Sequence, residues 1–184
     1  PRPRGTLLDL SELVLGRYIR RLAPLRANFS HVTRLNLGGT RLSDGDTGFL
    51  DNFPNLRALD LSDNGLGEVP SRLLNMKSLT ALNLSENSIV WLPSDYQTLE
   101  QCSYLRSLNL EGNRLLEVPP NINQMLDLRL LVLRRTNITQ WPVGLDSPRR
   151  SIPTLDLSNT QIKTVPAFAQ GSVGAQIVAN SWVD

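Results

Sequence analysis

The sequence predicts an α/β solenoid, with six short parallel strands on the concave face and short helices, turns and loops on the convex face. The clearest form of the underlying pattern runs from Leu105 to Leu115 and reads L-x-x-L-x-L-x-x-N-x-L. Matches start at residues 32, 56, 79, 105, 128 and 152, so consecutive starts are 24, 23, 26, 23 and 24 residues apart. Five of the six matches close on an apolar or aromatic residue followed by proline.

This pattern and period are those of leucine-rich repeats. A strand of three or four residues cannot bury its apolar face alone, so neighbouring coils must stack and share one leucine core. Their strands then form a parallel sheet with a spacing of roughly 4.8 Å. We assign residues 32–166 to the repeats, 1–31 to an N-terminal cap, and 167–184 to a C-terminal cap or a linker to a further domain.

The ends of a solenoid expose core leucines, so atypical segments must cover them. At the N-terminus, residues 6–11 predict a short strand or turn, and the apolar residues between 12 and 26 predict a short amphipathic segment. At the C-terminus, residues 172–179 predict a short helix. On the convex side, Ser94 is a predicted N-cap for a helix through residue 101. Trp141 is predicted to fill the core and Trp91 to be partly exposed.

One polar position follows each strand at the turn. A buried Asn amide there can bond backbone groups of adjacent coils, and losing such a partner costs about 1–3 kcal/mol. A Thr hydroxyl satisfies fewer groups than an amide. We therefore expect looser outer coils, because the position carries Asn in the centre and Thr elsewhere: Asn64, Asn87 and Asn113, against Thr40, Thr136 and Thr160.

The sequence carries no catalytic, phosphate-binding or metal-binding motif, and we predict no cofactor. His31 is the one histidine and Cys102 the one cysteine, so no disulfide can form within the chain. The net charge of +2 makes no case for nucleic acid or membrane. An N-terminal concentration of arginines is either a solvated cap or a docking patch for an acidic partner: Arg2, Arg4, Arg17, Arg20, Arg21, Arg26, Arg34 and Arg41, against Asp9 and Glu12.

The residues between the strand leucines face the concave surface and are mostly small or polar. The fifth repeat breaks this rule, because Leu130 and Val132 are apolar and Arg134 and Arg135 follow at once. Apolar anchors beside arginines are typical of the centre of a protein interface. The alternative is local packing against the C-terminal segment. We predict a partner-binding site made of Leu130, Val132, Arg134 and Arg135, with Glu111 and Asp156 as lateral neighbours, and a Glu111–Arg134 ion pair.

The segments 29–37 and 49–62, and the segment 133–145 that reads LRRTNITQWPVGL, resemble the repeat regions of large bacterial toxin-like effectors. The likeness covers roughly residues 29–180. In that family, the repeats are often followed by a "novel E3 ligase" domain with a catalytic cysteine in a C-x-D motif. Here Cys102 is followed by Ser103 and Tyr104, so no catalytic role carries over to this chain.

The resemblance implies a substrate-recognition module that a bacterium secretes into the host-cell cytoplasm, with ubiquitin-pathway components reached through another domain. The alternative is a cytoplasmic scaffold or adaptor without an enzyme. An extracellular receptor domain is disfavoured, since cysteine-flanked caps are missing. All three predict a protein partner on the concave face.

Overall fold

A computed structural model describes residues 5–21, 24 and 27–183, and it shows a leucine-rich-repeat solenoid. One parallel sheet lines the concave face, and its strands are hydrogen-bonded to their neighbours in the order of the chain. The strands are β1 (Thr6–Asp9), β2 (Val32–Asn36), β3 (Ala58–Asp60), β4 (Ala81–Asn83), β5 (Ser107–Asn109), β6 (Leu130–Val132) and β7 (Thr154–Asp156).

The six predicted repeat strands are confirmed, and residues 6–11, predicted as a short strand or turn, supply a seventh strand. The additional strand is β1, which comes from the N-terminal cap and pairs in parallel with β2, placing Leu8 beside Leu35. At the other edge, Trp182 forms an isolated parallel bridge with Asp156. The Trp182 N–H donates to Leu155 O at 2.9 Å, and the Leu157 N–H donates to Trp182 O at 2.8 Å. Both caps therefore extend the sheet as well as cover its core.

The core is the continuous column of leucines that the repeat pattern predicts. The central strand residues stack in register from coil to coil and are at most 2% exposed: Leu35, Leu59, Leu82, Leu108, Leu131 and Leu155. Burying each leucine contributes about 1.5–3 kcal/mol, so the column is the main source of stability.

The convex face carries α1 (Gly16–Ile19), 3₁₀ helices at Asp44–Asn52 and Ser71–Asn75, α2 (Pro93–Gln101) and α3 (Val173–Ala179). The predicted helix at 94–101 is confirmed, but the prediction of Ser94 as its N-cap was wrong, because the helix is capped at Leu92. The Leu92 N–H donates to the buried Asp95 carboxylate at 2.8 Å. The predicted C-terminal helix is confirmed, and its N-cap Ser172 accepts from the Ala175 N–H.

Within the predicted amphipathic segment of the N-terminal cap, the described residues contain one short helix. Only four residues form α1, and Ile19 is its buried contact with the core at 1% exposure. Leu13 and Tyr18 are about half exposed instead. Arg20 pairs with Asp46 on the first 3₁₀ helix. The predicted cap residues Leu22 and Leu25 and the arginines Arg2, Arg4 and Arg26 lie outside the described residues.

The predicted inward position of Leu115 was also wrong. Leu115 is 55% exposed, and Leu116 is fully buried in its place. The fourth coil has one residue more between its turn Asn and its buried leucine than the second coil, where Asn64-Gly65-Leu66 buries Leu66. Val118 is consequently exposed, and Pro119 takes the buried position that Val69 holds in the second coil.

The turn asparagines join each coil to the preceding one. The Asn87 amide donates to Leu61 O of the preceding coil and to Leu84 O of its own coil, both at 3.0 Å. The Asn113 amide likewise donates to Leu84 O at 2.9 Å and to Leu110 O at 3.0 Å. Each threonine hydroxyl donates to a carbonyl of its own coil three residues earlier, and these are Thr40, Thr136 and Thr160.

Acidic side chains join the coils on the convex side. The Asp95 carboxylate accepts from the Val69 N–H of the preceding coil at 2.7 Å, in addition to capping α2. Asp44 accepts from the Gly67 N–H of the following coil at 2.9 Å. Asp146 accepts from the Gly174 N–H at 3.0 Å and so attaches α3 to the fifth coil. Short returns of different shape are thus anchored by the same kind of contact.

Candidate functional site

The concave face forms an open groove of about 500 Å³ that crosses β1 to β6. The outward positions fall in the columns that the sequence predicts. The first column reads Arg34, Ala58, Ala81, Ser107, Leu130 and Thr154 in register. The second reads Asn36, Asp60, Asn83, Asn109, Val132 and Asp156.

The second column has a structural role that the sequence interpretation missed. Its side-chain oxygens accept from the backbone N–H two residues later, as Asn109 does from Glu111 at 2.9 Å. Asp60 accepts in the same way from the Ser62 N–H at 2.8 Å. Such a local turn closes the end of each strand. Val132 interrupts the column because it has no oxygen to accept with, so its side chain contributes only apolar surface to the groove.

The outward position three residues after the second column, which we call the fourth column, has a left-handed backbone conformation. Its residues have φ between 49° and 70° whatever their type, and they are Gly39, Asp63, Glu86, Gly112, Arg135 and Asn159. For residues other than glycine this conformation costs roughly 1–2 kcal/mol. The repeated turn makes each coil leave its strand in the same direction, so the side chains of this column form one edge of the groove.

The structure brings together the residues of the fifth repeat that the sequence predicts as a partner-binding site. Leu130 and Val132 are half-buried residues that line the groove. Beside them, Arg134 Nε lies 2.7 Å from the Glu111 carboxylate, so the predicted ion pair is confirmed. Arg134 is also 4.0 Å from Asp156.

The second arginine completes a cluster at the groove edge. Arg135 contacts the Glu111 carboxylate at 2.9 Å and pairs with Glu86 of the third coil. A hydrogen bond from Arg134 to Glu111, and attraction to the same carboxylate, raise the pKa of the Arg134 guanidinium. Both arginines keep about half of their side chains exposed, so they are held in place and still accessible to a partner.

Other reactive side chains show no catalytic arrangement. Burial raises the pKa of the Cys102 thiol to about 11, and its Sγ lies 3.3 Å from Thr98 O in α2. His31 is exposed and lies near the Phe29 ring. Among the described residues there is no group of three or more His, Cys, Asp or Glu that could hold a metal ion. In the same part of the chain, no helix is long and apolar enough to cross a membrane.

The sequence interpretation missed an apolar surface beside the turns of the third and fourth coils. Val90, Leu92, Leu115 and Val118 are each about half exposed. The half-buried ring of Trp91 packs against Tyr96 nearby, as its predicted partial exposure suggests. Trp141, by contrast, is buried as predicted. The one-residue shift in the fourth coil is the signal that could have identified Leu115 as exposed.

These features define a leucine-rich-repeat interaction module. Residues 30–89 and residues 104–125 each match a family model described as leucine rich repeat. The chain is 39% identical over 61 residues to asporin from Bos taurus, a match that covers 33% of this chain and 16% of asporin. It is 37% identical over 86 residues to vasorin from Homo sapiens, covering 47% of this chain and 12% of vasorin.

Solved structures show the same fold. The structure of the LRIM1/APL1C complex matches with a TM-score of 0.59 and 29% identity, covering 73% of this chain and 24% of that chain. The leucine-rich repeat domain of APL1B matches with a TM-score of 0.57 and 20% identity, covering 72% of this chain and 37% of that chain. The chain thus spans a small part of each relative it matches.

Proposed function

We propose that the chain is a protein-binding module whose concave face holds its partner at the fifth coil. The observation that carries this proposal is the interruption of the polar second column by Val132, next to Leu130 of the first column and beside two arginines held by ion pairs. Partly buried apolar side chains next to arginine are where binding energy concentrates in protein interfaces. The likeness to a protein solved in the LRIM1/APL1C complex also supports a protein partner.

The residues of the site have different roles in this proposal. Leu130 and Val132 supply apolar contact area on the groove floor. Arg134 and Arg135 supply donors for the partner, and Glu111 and Asp156 hold the guanidinium groups in position. Preorganised side chains lose less conformational freedom when a partner binds, which favours affinity.

A four-residue variant tests the site. Leu130→Thr, Val132→Asn, Arg134→Ser and Arg135→Asn introduce, at each position, a residue that a neighbouring coil carries in the same column. We expect loss of partner capture from a source-cell lysate, measured by isotope-labelled mass spectrometry. The urea midpoint should fall, because the buried Glu111 carboxylate loses both guanidinium partners. The pair Leu130→Thr with Val132→Asn keeps these ion pairs and should weaken capture at an unchanged urea midpoint.

The matched control removes a similar exposed apolar area elsewhere. Leu115→Ser with Val118→Ser alters the apolar surface of the fourth coil, away from the groove. The control should capture the same proteins as the wild type. If the four-residue variant also captures them undiminished, the site is not at the fifth coil.

Two kinds of protein-binding module were considered from the sequence. Of these, the non-enzymatic scaffold or adaptor is better supported than the recognition module of a ligase effector. Asporin and vasorin, the curated relatives described above, come from cattle and human. Bacterial secretion into a host cytoplasm, ubiquitin-pathway partners and a following ligase domain are proposals that rest on sequence resemblance alone. The gene downstream of residue 184 tests them, because a helical domain with a C-x-D cysteine would favour the ligase effector.

A further inference from the structure

A row of arginines follows the N-terminal ends of the strands, just before the first column. Arg57, Arg106 and Arg129 each directly follow the first leucine of a repeat, and Thr80 holds that position between them. The Arg106 N–H donates to Thr80 O at 2.7 Å, and the Arg129 N–H donates to Arg106 O at 2.8 Å. With Arg34 at the start of the groove, these residues form what we call the arginine row: Arg34, Arg57, Arg106 and Arg129.

The arginine row lacks counter-charges of its own. All four residues are exposed, and within the described part of the chain none of them forms an ion pair. This contrasts with Arg134 and Arg135, which have acidic partners. Arg106 and Arg129 occupy neighbouring coils, where backbones are roughly 4.8 Å apart. Arginines on neighbouring coils, without acidic partners, produce a positive potential that attracts an anionic partner.

A recess accompanies the row at its N-terminal end. It has a volume of about 770 Å³ and shares Arg34, Ala58 and Ala81 with the lining of the groove. Arg57 also lines it, together with three residues whose hydroxyl groups can donate: Ser30, Thr33 and Ser78. Guanidinium and hydroxyl donors together are suited to a carboxylate, since each oxygen can accept more than one hydrogen bond.

The C-terminal ends of the strands, on the opposite side of the groove from the arginine row, carry the opposite charge. The residues at or just after these strand ends carry two guanidinium groups, Arg134 and Arg135, and six carboxylates. The carboxylates are Asp9, Asp60, Asp63, Glu86, Glu111 and Asp156. A three-residue strand separates the two edges by roughly 10 Å. The groove between them has an apolar component from Ala58, Ala81, Leu130 and Val132. The concave face is therefore positive on one side, negative on the other and partly apolar between.

We infer that the partner presents an acidic protein segment, whose carboxylates lie along the arginine row and whose apolar side chains lie in the groove. This inference rests on the proposed function and gives the chemistry and orientation of the partner. A uniform polyanion fits less well, because it would leave the apolar floor of the groove, which Leu130 and Val132 line, without contacts.

The test uses three synthetic peptides and two triple variants. The first peptide is helical, with glutamates along one face and leucines along the next. The second replaces every glutamate with lysine, and the third is a scramble of the first. Arg57→Glu, Arg106→Glu and Arg129→Glu reverse the row. Arg72→Glu, Arg114→Glu and Lys163→Glu make the same change of net charge at exposed positions outside it.

We expect the acidic peptide to bind the wild type and the control triple variant equally in fluorescence anisotropy. Reversal of the row should weaken this binding at least about tenfold and strengthen binding of the lysine peptide, since opposite charges now meet. Raising salt from roughly 50 to 300 mM should weaken the acidic peptide on the wild type and leave far less effect on the reversed variant.

Three outcomes would overturn the inference: no preference for the acidic over the scrambled peptide, equal loss in both triple variants, or tighter binding of a sulfated polysaccharide or a single-stranded oligonucleotide than of the peptide. Failure of this inference can be distinguished from failure of the proposed function. If the fifth-coil variant loses its captured partner while the acidic peptide shows no preference, the binding site at the fifth coil stands and the acidic-segment inference is wrong.

Discussion

At the scale of single residues, the turn position shows how one atom changes the connection between coils. An asparagine amide has two N–H donors and can bond its own coil and the preceding one at once, as Asn87 and Asn113 do. A threonine hydroxyl has a single proton and bonds its own coil. The inter-coil contact therefore depends on whether the position carries an amide.

Replacing Asn113 with alanine should lower the free energy of unfolding by about 2–3 kcal/mol, because two carbonyl groups at a fully buried position lose their donor. Thr136→Ala removes one bond, to Leu133 O, and should cost about 1 kcal/mol. Urea denaturation followed by circular dichroism measures both. Equal costs for the two variants would mean that the second, inter-coil bond of asparagine adds nothing.

Cys102 should react slowly with a thiol reagent in the folded protein at pH 8. Burial raises the pKa of its thiol from 9.0 to about 11, so the thiolate fraction at this pH is about a hundredfold smaller than in the unfolded chain. The reaction rate should rise steeply between about pH 9 and 11. Stopped-flow absorbance measures it on this single-cysteine chain, and the same protein in urea is the reference. Equal rates in the two states would contradict burial of the thiol.

At the scale of the elements, α2 shows which part of a helix the sequence can predict. The helix itself is predicted from Ser94 to Gln101, but its first turn is held by Asp95, which makes one local and one tertiary contact. Asp95 accepts from the Leu92 N–H of its own helix and from the Val69 N–H of the preceding coil. The Val69 N–H belongs to another coil, so no local sequence pattern contains it. The sequence therefore favoured Ser94, which is a common type of N-cap residue but lies two residues after the actual N-cap, Leu92.

Asp95→Ala should therefore lower the free energy of unfolding by about 2 kcal/mol or more, because it leaves two backbone N–H groups without their acceptor. Ser94→Ala, at the exposed position that the sequence favours, should change it by less than about 0.5 kcal/mol. Thermal and urea denaturation of the pair decide the matter. A larger loss of stability for Ser94→Ala than for Asp95→Ala would show that Ser94 is the N-cap of the helix, as the sequence predicted.

The strands and their columns were predictable because each repeat contains the same alternation of buried and exposed residues. Leu130 and Val132 reach the groove as this alternation requires. The cap strand β1 was not predictable with certainty, since a four-residue segment has little periodicity of its own and is defined by pairing with β2. The Arg135 contact with Glu86 spans two coils and follows from side-chain length, which the column positions do not contain.

At the scale of the whole molecule, stability in a stacked solenoid depends on each coil and its neighbours. Asparagine amides join the first four coils, whereas the fifth and sixth coils carry threonine at the turn, and each end of the solenoid is closed by a cap. Backbone N–H groups in equivalent positions allow a direct comparison: Leu84 and Leu110 in the centre, and Leu37 and Leu157 towards the ends.

We expect hydrogen exchange at Leu84 and Leu110 to be at least about tenfold slower than at Leu37 and Leu157, because the ends open without unfolding the centre. Amide exchange followed by NMR measures all four in one experiment. A uniform rate would show that the whole chain opens as a single cooperative unit. Asn113→Ala should then bring the exchange of Leu110 closer to that of the ends.

The left-handed turn that recurs at one position of every coil makes the coils interchangeable parts. Asp63 and Glu86 adopt nearly the same φ, 49° and 53°, although their side chains differ. A second copy of residues 56–78, inserted after residue 78, would find at both junctions the backbone geometry it has now. Each duplication would lengthen the binding face by roughly 4.8 Å. The binding face can thus grow by whole coils, and redesign is confined to the convex side, where the Val69 N–H of the first copy would lose Asp95 and the Gly67 N–H of the second would lose Asp44.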